Sequence, residues 1–191
     1  MEKEPLPRVR GRILLARMSY LRRKAPIGAI DRVLARLSAA DQALLHGSIT
    51  ESESYPFEVN QRLDEAIAKE VSPGNPDAVF LDMGRVSAEA NLLGTQRSLI
   101  TKGDCHRFLS QAPEIYRLYY DVGRRAYLKV DEHTGLVRTF DAENVTREDC
   151  LTVAGWYARA LELCGGCEVR VTDDRCRVRG DTFCEYRCEW R

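Results

Sequence analysis

RRAYLKV at 124–130, GLVRTF at 135–140, TREDCLTVAGWYARALEL at 146–163, CEVRVTD at 167–173 and DTFCEYRCEW at 181–190 decide the fold. The first two flank DEHT, with Gly135 supplying the turn, and read as a β-hairpin. The third reads as a helix. Thr146 stands where an N-cap belongs, with Asp149 three places on, and Gly165 and Gly166 end the helix in the manner of a C-cap. The last two form a second hairpin around residues 175–180. A β-β-α-β-β order buries its apolar faces most simply as one antiparallel four-stranded sheet under a layer of helices.

Period two sorts the final strands. Cys184, Tyr186, Cys188 and Trp190 share one face, opposite Phe183, Glu185, Arg187 and Glu189. Cys167, Val169, Val171 and Asp173 also share a face. The apolar faces are expected to look toward the helices.

Working back toward the start, helices are expected throughout. Residues 11–24 carry Leu14, Met18 and Leu21 at helical spacing until Pro26 intervenes. Residues 28–37 carry Ile30, Val33, Leu34 and Leu37. Ser38 can cap a short third helix, ended by Gly47. SESYPF reads as irregular, because Pro56 holds Tyr55 extended. Helices at 57–70 and 76–93 are separated by the breaker SPGNP. Within the second, Gly84 and Ala88 would let another helix approach closely. A helical stretch at 102–121 is divided by Pro113. The expected class is α+β, a helical N-terminal half packed on a four-stranded antiparallel sheet. One domain is expected over residues 1–191, with 1–50 as a helical extension within it.

Lys plus Arg and Asp plus Glu each number 29, so the net charge is zero. That balance argues against a dedicated nucleic-acid binder. Basic residues nevertheless crowd the start: Lys3, Arg8, Arg10, Arg12, Arg17, Arg22, Arg23 and Lys24. Arginines interrupt every apolar run there, so no export-signal core is expected. No stretch approaches the roughly 20 apolar residues of a membrane span. The basic start reads as a solvated helix face, and the chain as cytoplasmic.

Of the seven cysteines, all but Cys105 fall at or after position 150. An odd count without an export signal fits reduced thiols better than a disulfide framework. Cys150 lies in the first turn of its helix, and Cys176 and Cys184 bracket the last turn. With Asp173, they could close a tetrahedral zinc site. A rival set is Cys164, Cys167, Cys184 and Cys188, whose spacing lies close to a zinc ribbon. Small buried thiols packed as apolar residues remain the alternative to both. The C-x-x-C at 164–167 closes a helix, where the dipole disfavours a thiolate, so redox chemistry is not expected of it.

The segment from Asp149, with Cys176, Gly180, Asp181, Cys184 and Tyr186 at fixed offsets, resembles the C-terminal part of 4-vinyl-reductase-like domains. Gly11 opening a long helix, ADQALL followed by YPFEVNQRLDEAI, and LDMGRVSAEANL resemble bacterial vinyl-reductase-like and heme-NO-binding-like proteins. The wider group takes in heme-NO-binding sensors, TRAPP trafficking subunits and the sensing domains of aromatic-responsive regulators. The resemblance implies helices on a four-stranded antiparallel sheet, a homodimer through the helical half, and an enclosed pocket for a small apolar or aromatic ligand. It also implies a zinc on Cys150, Asp173, Cys176 and Cys184, with Asp173 departing from the glutamate of the pattern. Heme is not expected. Of His46, His106 and His133, only His106 is helical, and no Tyr-x-Ser-x-Arg-type clamp is present.

These readings favour a small-molecule-binding sensory module. Its pocket would be lined by Phe80, Met83, Phe108, Tyr116, Tyr119, Tyr127 and Trp156. The same residues could instead be plain core. A dimeric, non-catalytic adaptor is the alternative function. An enzyme is not expected: no nucleotide-binding glycine motif, P-loop or G-x-S-x-G elbow occurs, and a zinc with four protein ligands leaves no open position.

Overall fold

The computed structural model describes residues 7–142 and 146–191. Lys3, part of the basic start, lies outside the described residues. The chain groups into two compact units, Met1–Pro76 with Leu118–Asp121, and Asp77–Arg117 with Val122–Arg191.

In the first unit, β1 (Arg8–Arg10) leads directly into α1 (Gly11–Lys24), followed by α2 (Ala29–Leu34), α3 (Ala39–His46), β2 (Ser54–Pro56) and α4 (Phe57–Val71). The segment read as irregular around Pro56 is β2, which pairs antiparallel with β1. Three residues are too few for a period-two signal, so this pairing left no mark in the sequence. Ser38 caps α3 as expected, its hydroxyl accepting the Asp41 N–H at 3.1 Å. The Asp41 carboxylate accepts two hydrogen bonds from Arg62, at 2.7 and 2.8 Å, which together with hydrogen bonds from Ser38 hold its carboxyl below the usual range. Val9, Ile13 and Phe57 form a small apolar cluster, with Tyr119 and Tyr120 packed against it.

A buried ion pair joins α1 to α4. Arg17 donates through Nε and Nη2 to the two carboxylate oxygens of Asp64, at 3.0 and 3.2 Å. Asn60 Nδ2 adds a third hydrogen bond to that carboxylate at 3.1 Å. Arg17, Asn60 and Asp64 are all buried, so Arg17 departs from the solvated face expected of the basic start: its position on the apolar side of α1 turns it toward α4.

The second unit holds α5 (Pro76–Leu93) from Asp77 onward, α6 (Cys105–Ser110), α7 (Ala112–Arg117), β3 (Arg124–Lys129), β4 (Thr134–Phe140), α8 (Arg147–Cys164), β5 (Arg170–Arg175) and β6 (Cys184–Glu189). The break between α6 and α7 falls just before Pro113, which sits in the first turn of α7, where proline is tolerated. The four strands form one antiparallel sheet in the order β3-β4-β6-β5. The α+β architecture read from the sequence is therefore the one observed. Cys184, Tyr186, Cys188 and Trp190 are all buried, so the strand-face assignment holds for β6. Cys167 lies before β5 rather than in it and is exposed.

The helix α5 meets α8 at backbone distance. A Cβ added to Gly84 would overlap the Thr152 carbonyl oxygen and stand 2.7 Å from the Trp156 nitrogen, and one added to Gly155 would overlap the Leu81 carbonyl oxygen. Each glycine admits the other helix's carbonyl, as the sequence led us to expect for Gly84. No helix among the described residues is long and apolar enough to cross a membrane.

Candidate metal centre

The start of α8 is fixed by its cap. Thr146 Oγ1 accepts the Asp149 N–H at 3.1 Å, which places Cys150 in the first turn. Opposite it, the link between β5 and β6 is shaped by two residues of the quoted motif. Gly180 has φ 93°, a left-handed conformation that favours glycine. Asp181 Oδ2 accepts the Cys176 N–H at 2.8 Å and so closes the turn. These two constraints hold Cys176 and Cys184 side by side.

The sulfurs of Cys150, Cys176 and Cys184 all lie within 4.8 Å of one another, and all three residues are buried. Cys150 and Cys176 stand 3.4 Å apart, sulfur to sulfur. Tetrahedral zinc at about 2.3 Å from each sulfur would separate them by about 3.8 Å. Three thiols at this spacing can hold a metal ion. The arrangement also favours a thiolate on Cys184. Its thiol is held below the usual range, first by the hydrogen bond with Cys150, and the Arg177 N–H also donates to it at 3.4 Å. Cys150 is pushed up, first by its hydrogen bond to Cys184 and then by burial.

Asp173, the fourth residue of the expected set, is not brought into this group. Its Oδ2 accepts from Arg179 Nη1 at 2.6 Å, at a partly exposed position. The rival set does not assemble. Cys184 belongs to the three-thiol cluster, while Cys164 and Cys188 are fully buried with their thiols raised by desolvation, Cys164 to about 12. Sequence reasoning found the three thiols but missed the roles of Asp181 and Arg177. Asp181, inside the quoted motif, was the available signal.

The residues proposed for a pocket divide between the units. Tyr119 belongs to the first, packed on the Val9, Ile13 and Phe57 cluster. The other six lie in the second. Phe80, Met83, Phe108, Tyr116 and Trp156 are buried, and Tyr127 is half-buried. Phe108 and Trp156 stack with ring centroids 5.8 Å apart. A separate surface cleft of about 290 Å³ is lined by Asp104, His106, Glu132, His133, Cys164 and Trp190, among others.

His106, the helical histidine, uses both ring nitrogens: Nδ1 meets the Tyr127 hydroxyl, and Nε2 meets the Glu132 carbonyl at 2.9 Å. Its ring also packs edge-on against Trp190, centroids 4.7 Å apart. An iron on His106 would have to displace one of these hydrogen-bond partners, so this arrangement does not present a ready axial ligand. His46 and His133 are exposed, at a helix end and in the β3–β4 turn.

No protein-family model and no curated protein matches the chain. Solved structures do. An H-NOX domain designated Cs, carrying 4-cyano-phenylalanine at site 5, is similar at TM-score 0.74 and 14% identity, covering 95% of this chain and 96% of that one. The Fe(II) unliganded H-NOX protein from K. algicida is similar at TM-score 0.70 and 11% identity, with the same coverages. A structure from work on modulating heme redox potential through porphyrin distortion is similar at TM-score 0.71 and 13% identity, covering 94% of this chain and 99% of that one. The fold is therefore the heme-NO-binding-like fold, over nearly the whole chain. This likeness overturns the expectation against heme. That expectation rested on scarce histidines and a missing clamp motif, both local signals, whereas the full-length architecture is one that heme-binding proteins use.

Proposed function

We propose that residues 1–191 form a small-molecule-binding sensory module, with heme the first ligand to test. The observation that carries this reading is the full-length likeness to H-NOX structures. The ligand is taken among the aromatic and apolar side chains of the second unit, at Phe80, Met83, Phe108, Tyr116, Tyr127 and Trp156. Hemin titration of the purified protein tests it. A saturable Soret shift, weakened by Phe108→Ala, supports the reading. Absence of binding by hemin and by a panel of flat aromatic ligands would sink it.

Within that fold, 4-vinyl-reductase-like membership is supported by the Cys176, Gly180, Asp181, Cys184 and Tyr186 motif, whose glycine and aspartate build the thiol-bearing turn. The three thiols bind a structural zinc, and Asp173 supplies the fourth ligand on leaving Arg179. The metal would tie the start of α8 to the β5–β6 link and supply folding energy rather than chemistry. Elemental analysis should give about one zinc per chain. Cys150→Ser and Cys184→Ser should each abolish it, with Asp173→Ala weakening it less. Metal-free protein of unchanged stability would refute the site. Light scattering tests the homodimer that the family resemblance supports.

A further inference from the structure

We propose that the turn between α1 and α2 is a docking point for an anionic membrane surface. Ile27 carries the argument. Its side chain is 101% exposed, the most exposed of the large apolar residues described. A solitary exposed isoleucine on a helix face would be unremarkable, but this one stands at the tip of a stiff turn. Pro26 fixes the backbone on one side, and Gly28, at φ 77°, reverses it on the other. The whole stretch from Arg22 to Lys24 and from Pro26 to Gly28 is exposed.

Cations surround that tip. Arg22, Arg23 and Lys24 form the last turn of α1, where basic residues also suit the helix dipole. The dipole accounts for their place in the helix but not for the isoleucine beside them. A fourth cation closes in from α2: Arg32 Nη1 lies 3.0 Å from where a Gly28 Cβ would stand. Arg32 and Arg36 share Glu70, and Asp31 is exposed beside them, so those four charges balance and the positive surplus lies with the basic end of α1. Charge complementarity therefore selects an anionic partner, and the protruding apolar tip selects one with a hydrocarbon layer beneath its charge. Phospholipid with acidic headgroups offers both. At such a surface the burial of an apolar group and the attraction of a basic patch add.

The test is co-sedimentation of the full chain with vesicles containing phosphatidylserine and with vesicles of phosphatidylcholine alone. Binding to the first only, weakening as salt rises, is expected. Each basic residue near such a surface strengthens partitioning by about fivefold, so Arg22→Glu with Arg23→Glu should lower it by well over about twentyfold. Ile27→Asp should lower it by about tenfold or more, while Ile27→Leu should retain it. Thermal melts of the Ile27 variants should match the parent, because that side chain is exposed, and the charge reversal at the end of α1 should lower the melt only slightly. Equal binding to neutral vesicles, or binding indifferent to Ile27→Asp, overturns the proposal. So does a chain that ignores anionic vesicles yet binds a polyglutamate peptide through the same residues, which would make the partner an acidic protein.

Discussion

The two units solve the burial problem with different chemistry. The first joins α1 to α4 through a desolvated charge pair, Arg17 with Asp64, steadied by Asn60. The second joins α5 to α8 by removing side chains altogether, at Gly84 and Gly155, and surrounds that contact with aromatic and aliphatic groups. The lesson is that the first unit is sensitive to the loss of one partner, whereas the second is sensitive to the gain of one atom.

Four measurements break or sharpen this contrast, all by urea unfolding. Asp64→Ala should cost about 3–5 kcal/mol, because it removes the carboxylate that accepts two hydrogen bonds from the buried Arg17 guanidinium. Replacing both partners, Arg17→Met with Asp64→Leu, should recover most of that loss. A double variant as unstable as the single one would mean that the pair itself, not the orphaned charge, matters. Next, Gly155→Ala should cost about 3 kcal/mol through overlap with the Leu81 carbonyl. A neutral result would show that α5 and α8 can separate cheaply. Thr146→Ala should cost about 1 kcal/mol by uncapping α8.

An effect of similar size is a pH slope. Tyr116 donates to the Val122 carbonyl at 2.7 Å, and burial pushes its hydroxyl up to about 12. A raised folded value means the contribution is complete below the ordinary value of 10.0 and fades as pH rises toward 12. Near about pH 11 the loss should be about 1 kcal/mol, and Tyr116→Phe should flatten that part of the curve. An unchanged slope in the variant would place the alkaline sensitivity elsewhere.

Much of the second unit was legible because its signals are periodic or conformational. Alternation assigned Cys184, Tyr186 and Cys188 inward, and Thr146 and Gly165 marked the two ends of α8. Three sulfurs of the candidate centre were named in advance. Asp173 was placed beside them by pattern, but the sequence carries no sign that Arg179 competes for its carboxylate. In the first unit, the β1–β2 pair was too short for any period to show. The buried ion pair did leave a trace: Arg17 lies three places after Leu14 and four before Leu21, on the apolar stripe of its own helix. A charge at such a position asks for a partner, and only the third dimension supplies Asp64.

The reciprocal seating of two carbonyls in two glycine notches has one more consequence. A helix held this way can neither roll about its own axis nor slide past its neighbour without driving a carbonyl into the atoms beside its notch. Any movement that leaves this seating intact therefore carries α5 and α8 together, with the thiol at the head of α8, as one body.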